Sequence, residues 1–130
     1  MAITTGMSYT VETVVTETNT ARAVGSGQVD VFSTPMMIAQ MELAASRCIE
    51  SALEAGQVSV GGHLNVSHSA ATPIGMSVKT TATVTDVDGI KVTFTVRAED
   101  EKGPIGEGNH LRFIVDEQRF TDKANKKLLV

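Results

Sequence analysis

Cysteine occurs once, at Cys48, proline three times and tryptophan not at all in this chain of 130 residues. A lone cysteine excludes an internal disulfide and leaves too few thiols for a zinc site built on several of them. Basic residues are also in deficit. Eleven Lys and Arg against 15 Asp and Glu give a net charge of −4, which offers no electrostatic footprint for nucleic acid. No apolar run approaches the ~20 residues of a membrane span, and no basic-then-apolar pattern opens the chain. The expectation is one soluble, cytoplasmic domain over residues 1–130, with flexible N-terminal residues and a polar tail at 121–127.

What is abundant is aliphatic and β-branched. Val, Ile, Leu and Phe supply 33 residues, enough for one core. Thr, Val and Ile together supply 39, so strands should dominate. One segment departs from that rule. Between Met36 and Glu54 only Ile38 and Ile49 are β-branched, among Ala, Met, Leu, Gln and Glu, which favour helix. Ser33-Thr34-Pro35 reads as a capping hydroxyl followed by proline at the first helical position, and Gly56 as a left-handed terminus. The sequence therefore predicts a helix from Pro35 to Ala55.

Beyond the helix the grammar is that of strands. Val58, Val60, Leu64 and Val66 share one parity, as do Val78, Ala82 and Val84, and then Val92, Phe94, Val96 and Ala98. Asp88-Gly89 is a hairpin signal. Lys102-Gly103-Pro104 marks another turn, with a last strand from Glu107 to Gln118 whose Leu111, Phe113 and Val115 point inward. Tyr9 to Thr16 reads as an edge strand, and Thr18 to Gln28 as a connector or mobile flap. The pattern fits an α+β fold, an antiparallel sheet of about five strands wrapped around one long central helix.

Several residues carry chemistry that the core pattern does not explain. On the helical wheel Glu42 falls at the margin of the apolar arc, between Ile49 and Leu53, so it is either a rim carboxylate or a buried one with a partner. His68 shares the parity of Leu64 and Val66 and should face the helix if no bulge intervenes, whereas His63 points outward. A histidine and a carboxylate converging on one cavity would tune imidazole for proton transfer. Gly61-Gly62 within a strand marks a bulge or a close approach of another group. Thr34 sits at a helix N-terminus, where amides and dipole favour negative charge; it reads equally as a cap. Arg112 has the parity opposite to Phe113, which makes it a solvated strand arginine or an anion contact. Cys48 lies mid-arc as a buried, inert thiol.

These residues form an ordered set: Phe32-Ser33-Thr34-Pro35-Met36-Met37, Met41-Glu42, Val60-Gly61, Val66 to Gly75, Val87-Asp88-Gly89, and Gly106-Glu107-Gly108-Asn109-His110-Leu111-Arg112. The set resembles the fluoroacetyl-CoA-thioesterase-like family of hotdog-fold proteins. The resemblance implies a hotdog fold, hydrolysis of a short-chain acyl-CoA to free acid and CoA, and a homodimer or dimer of dimers with sites at the interface. It implies Thr34, Glu42 and His68 as catalytic residues and Gly61 and Arg112 as residues lining the site. CoA then enters only as part of the substrate, with no metal or other cofactor, no nucleic acid and no membrane. The fluoroacetyl-selective type carries phenylalanines ahead of the helix, whereas residues 18–31 contain no aromatic, so a generic short acyl group is expected. Another reaction on the same fold, such as hydration or dehydration, and non-catalytic acyl-ligand binding are the alternatives. One geometric tension stands out: Thr34 and Glu42, eight residues apart, lie ~12 Å apart along a regular helix.

Overall fold

Alternation of apolar and polar residues along the strands builds the sheet. In the computed structural model, which describes residues 2–129, the elements are β1 (Ser8–Val14), α1 (Ala21–Val24), α2 (Thr34–Glu50), β2 (Gln57–His68), β3 (Ser77–Asp88), β4 (Lys91–Asp100), β5 (Gly103–Asp116) and α3 (Glu117–Asn125). A short 3₁₀ turn, Lys126–Leu128, follows α3. The five strands pair antiparallel in the order β1-β3-β4-β5-β2. The strand β4 shows the alternation most cleanly: Val92, Phe94, Val96 and Ala98 are buried, while Lys91, Thr95, Arg97 and Glu99 are exposed. Gly89, at φ +61°, turns β3 into β4, a conformation that suits glycine.

Helix α2 lies across one face of the sheet with Met37, Met41, Ala44, Ala45, Cys48 and Ile49 buried. It packs chiefly on β1 and β3 and more lightly on β2. The strands β1 and β2 are the two edges of the sheet. No described helix is long and apolar enough to cross a membrane.

Several local expectations are corrected. Helix α2 ends at Glu50 rather than Ala55, because Ala52 and Leu53 bond back to Ile49 and Glu50 in a tightened turn. Gly56, at φ +84°, then leads into β2. Residues 18–28 form no open flap: Thr20 caps α1, and bridges join Thr20 to Phe32 and Val31 to Pro73. At the N-terminus Ile3 and Met7 pack against the core. The final strand stops at Asp116, whose carboxylate accepts from the Arg119 amide at 2.9 Å and starts α3 where a fraying tail was expected.

The most consequential correction concerns β5. His110 and Arg112 are buried, at 0% and 7% exposure, whereas Leu111, Phe113 and Val115 are only half-buried. Register explains the inversion. Phe94 pairs with His110 and Val92 with Arg112, and residues directly opposite on antiparallel strands share a face. The inward face of β4 thus dictates that of β5.

Candidate active site

The N-terminus of α2 divides its labour between two adjacent hydroxyls. Ser33 is the cap: its side chain accepts from the Met36 amide at 3.2 Å. Thr34, the first helical residue, is freed for another contact, and its Oγ1 lies 2.7 Å from His68 Nδ1 at the end of β2. Thr34 is exposed and His68 half-buried. Burial pushes the His68 pKa below its ordinary value, and the Ala70 carbonyl only partly offsets this. The imidazole is therefore a neutral base near pH 7. Nδ1 is the atom turned toward Thr34, and Nε2 is buried with no hydrogen bond among the described residues. Beside the pair opens a cleft of ≈ 340 Å³ lined by Ala21, Gly27, Ala70 and Ala71 together with the larger Val29, Val31 and Phe32.

A second cluster forms midway along α2. Glu42 Oε2 lies 3.5 Å from Arg112 Nη1, with the carboxylate 41% exposed and the guanidinium 8%. Arg112 is held from three further directions. Its Nε donates to Ser59 Oγ and its Nη2 to the Ser59 carbonyl, both at 2.8 Å, while Nη1 lies 3.2 Å from His110 Nε2. The backbone of β2 closes the cluster at Gly61. A Cβ there would sit 2.5 Å from Glu42 Oε2 and 3.3 Å from His110 Cε1, so glycine is needed for the close approach.

The bulge anticipated from Gly61-Gly62 is present, as the β2–β5 register shifts between Gly61 and His63. It resets parity: Ser59 and Gly61 face the helix side before it, and Leu64, Val66 and His68 after it. Val58 and Val60 are displaced from the face their alternation suggested. His63 is exposed, and Cys48 is buried with its thiol pKa pushed up, as an inert thiol should be.

Within one chain, then, Thr34 meets His68, and Glu42 meets Gly61 and Arg112. The two groups stay apart, because both Thr34 and Glu42 belong to one helix and its rise separates them by ~12 Å. The sequence reading missed His110 and Ser59, which complete the Arg112 cage. The only signal for His110 was its place two residues before Arg112, on the same strand face. Among the described residues no three His, Cys, Asp or Glu side chains converge as metal ligands would.

Comparison with known proteins places this arrangement. A fluoroacetyl-CoA thioesterase of Streptantibioticus cattleyicolor is 37% identical over 98 residues, covering 75% of this chain and 70% of that protein. A solved structure of a fluoroacetyl-CoA thioesterase superposes with a TM-score of 0.94 at 32% identity, covering 98% of both chains. A Thermus thermophilus thioesterase-superfamily member superposes at 0.88 with 31% identity, over 96% of this chain and 93% of that one. The fold is the hotdog arrangement. Residues 15–118 match the family described as the fluoroacetyl-CoA-specific thioesterases, and the chain belongs to that family.

Proposed function

We propose that this protein hydrolyses short-chain acyl-CoA thioesters to the free acid and CoA, as a twofold dimer whose sites combine residues of both protomers. The observation that carries this reading is the 2.7 Å contact between Thr34 Oγ1 and the neutral His68 imidazole, at a helix N-terminus beside an open cleft. A water held at Thr34 attacks the thioester carbonyl carbon. Its proton passes through the Thr34 hydroxyl to His68 Nδ1. The carbonyl oxygen becomes negative next to the N-terminal end of α2, where the helix dipole and the Thr34 amide favour that charge. Collapse of the tetrahedral intermediate breaks the C–S bond, and the CoA thiolate recovers the proton from the imidazolium. The partner's Glu42, held by its own Arg112 and Gly61, orients the water. The mechanism calls on no metal or redox cofactor. The lack of aromatics at 18–31 favours a generic short acyl group over selectivity for fluoroacetyl.

Release of free thiol from acetyl-, propionyl-, butyryl- and longer acyl-CoAs tests the proposal. Hydrolysis should be fastest with the shorter esters. His68→Ala should lower it about 100-fold or more, in the range that acid–base catalysis supplies. Binding of acyl-CoA without turnover would instead identify a ligand-binding protein.

A further inference from the structure

We propose that His110 is a positioning residue, fixed in its Nδ1–H form by the His63 carbonyl so that Nε2 anchors the Arg112 guanidinium against Glu42. His110 is fully buried, with Nδ1 2.9 Å from the His63 oxygen and Nε2 3.2 Å from Arg112 Nη1. The chemistry of the two neighbours leaves one assignment. A carbonyl can only accept, so Nδ1 carries the proton; a guanidinium can only donate, so Nε2 is bare. Both bonds exist together only when the ring is neutral.

The surroundings are built to hold that state. The Gly61–His63 bulge interrupts the β2–β5 register beside His110, and it is the His63 carbonyl that meets Nδ1. Phe94 of β4 packs on the ring, with centroids 6.1 Å apart and planes inclined by 28°. Around this ring the charged groups are Glu42 from α2 and Arg112 from β5, while β2 contributes the His63 carbonyl. Burial, reinforced by the Arg112 charge, keeps the pKa of His110 below its ordinary value despite the His63 carbonyl and Glu42, which act the other way. Protonation would remove the acceptor from Arg112 and set a second cation beside it. The run His63 carbonyl, His110, Arg112 is thus two hydrogen bonds of fixed direction, extended to the Glu42 carboxylate by an ion pair at 3.5 Å.

This role rests on the thioesterase reading, since its consequence is the placement of Glu42. Loss of the anchor should disturb the chemical step rather than CoA binding. His110→Phe should lower kcat about 10- to 100-fold, as small misplacements of catalytic groups do, with KM changed less than about twofold. His110→Gln, whose amide oxygen can accept from Arg112, should recover much of the loss. Independently of turnover, ¹⁵N NMR of the wild-type imidazole at pH 7 should show Nδ1 protonated and Nε2 bare, and this measurement stands even if His110→Phe does not fold. A protonated Nε2, or a His110→Phe variant with wild-type kcat, overturns the proposal. A wild-type protein that hydrolyses no acyl-CoA overturns the thioesterase reading instead, while the NMR result still decides the tautomer.

Discussion

His68 illustrates how placement sets the chemistry of a single side chain. Its depressed pKa comes chiefly from burial, and within one chain Glu42 does not contribute to it. In the proposed dimer the partner's Glu42 reaches the site and stabilises the imidazolium, raising the pKa against the effect of burial. The proposed mechanism needs the neutral ring, so the rate should rise with pH through the folded-state pKa and level off above it. Replacing Glu42 with Gln removes the raising influence and leaves burial alone. The acid limb of kcat/KM in Glu42→Gln should therefore lie below that of the wild type, and below the ~6.5 of free imidazole. Rate profiles of both proteins from pH 4.5 to 8.5 check this, and an unmoved limb would show that Glu42 never comes near His68. The same signs apply to folding. Because His68 and His110 both have lowered pKa values in the fold, the stability they contribute is complete above ~6.5 and declines as pH falls through their folded values.

At the scale of elements, the first turn of α2 sets a capping residue beside the residue proposed for catalysis. Ser33 is 1% exposed and satisfies the Met36 amide, so Ser33→Ala should cost about 1 kcal/mol, the usual value of a lost N-cap. Thr34 is exposed and caps nothing, so Thr34→Ala should shift stability by no more than ~0.5 kcal/mol while sharply reducing turnover. Urea denaturation alongside thiol-release assays distinguishes the two variants. Equal destabilisation by both would return Thr34 to a capping role. The helix itself was legible because Ala, Met and Glu dominate it and a proline opens it. The threonine that meets His68 was not separable from the cap, since Ser and Thr are chemically alike and only their different contacts assign them. The strand β5 was misread for a related reason. Its inward His110 and Arg112 look like solvent-facing residues until the register with β4 fixes their side.

For the whole molecule, the edge strand β2 is the element through which the proposed dimer would bring two half-sites together. It is 12 residues long and hydrogen-bonded on one side only, to β5. Such an edge is a ready template for pairing with another chain. If β2 pairs antiparallel with its own copy about a twofold axis near the middle of the strand, the His68 end of one protomer runs alongside the Gly61 end of the other. That brings the partner's Glu42 toward Thr34 and His68, and the ~12 Å separation along α2 ceases to matter. Subunit mixing tests this. Thr34→Ala and Glu42→Gln homodimers should each be nearly inactive. Randomly mixed in equal amounts they should recover about a quarter of wild-type activity, because half of the dimers are mixed and each mixed dimer keeps one intact site of its two. No recovery in a verified mixture would place each site within one protomer, and a stable monomer in light scattering would remove the dimer altogether.

The sequence by itself determined the central helix, the strands and hairpin that follow it, and the glycines that admit close neighbours. These depend on local propensity and on periods of 3.6 and 2, which are written along the chain. Its resemblance to the thioesterase family, rather than periodicity, grouped Thr34, Glu42, His68, Gly61 and Arg112 as an expected site. Only the tertiary structure decided which of them touch: Thr34 with His68, and Glu42 with Gly61 and Arg112. It alone placed His110 beneath Arg112, because an inserted residue at Gly62 and the pairing of β4 with β5 reset which side chains face inward. The physical reason is that side-chain parity survives only as far as the next bulge, and cross-strand register is set by contacts far apart in sequence.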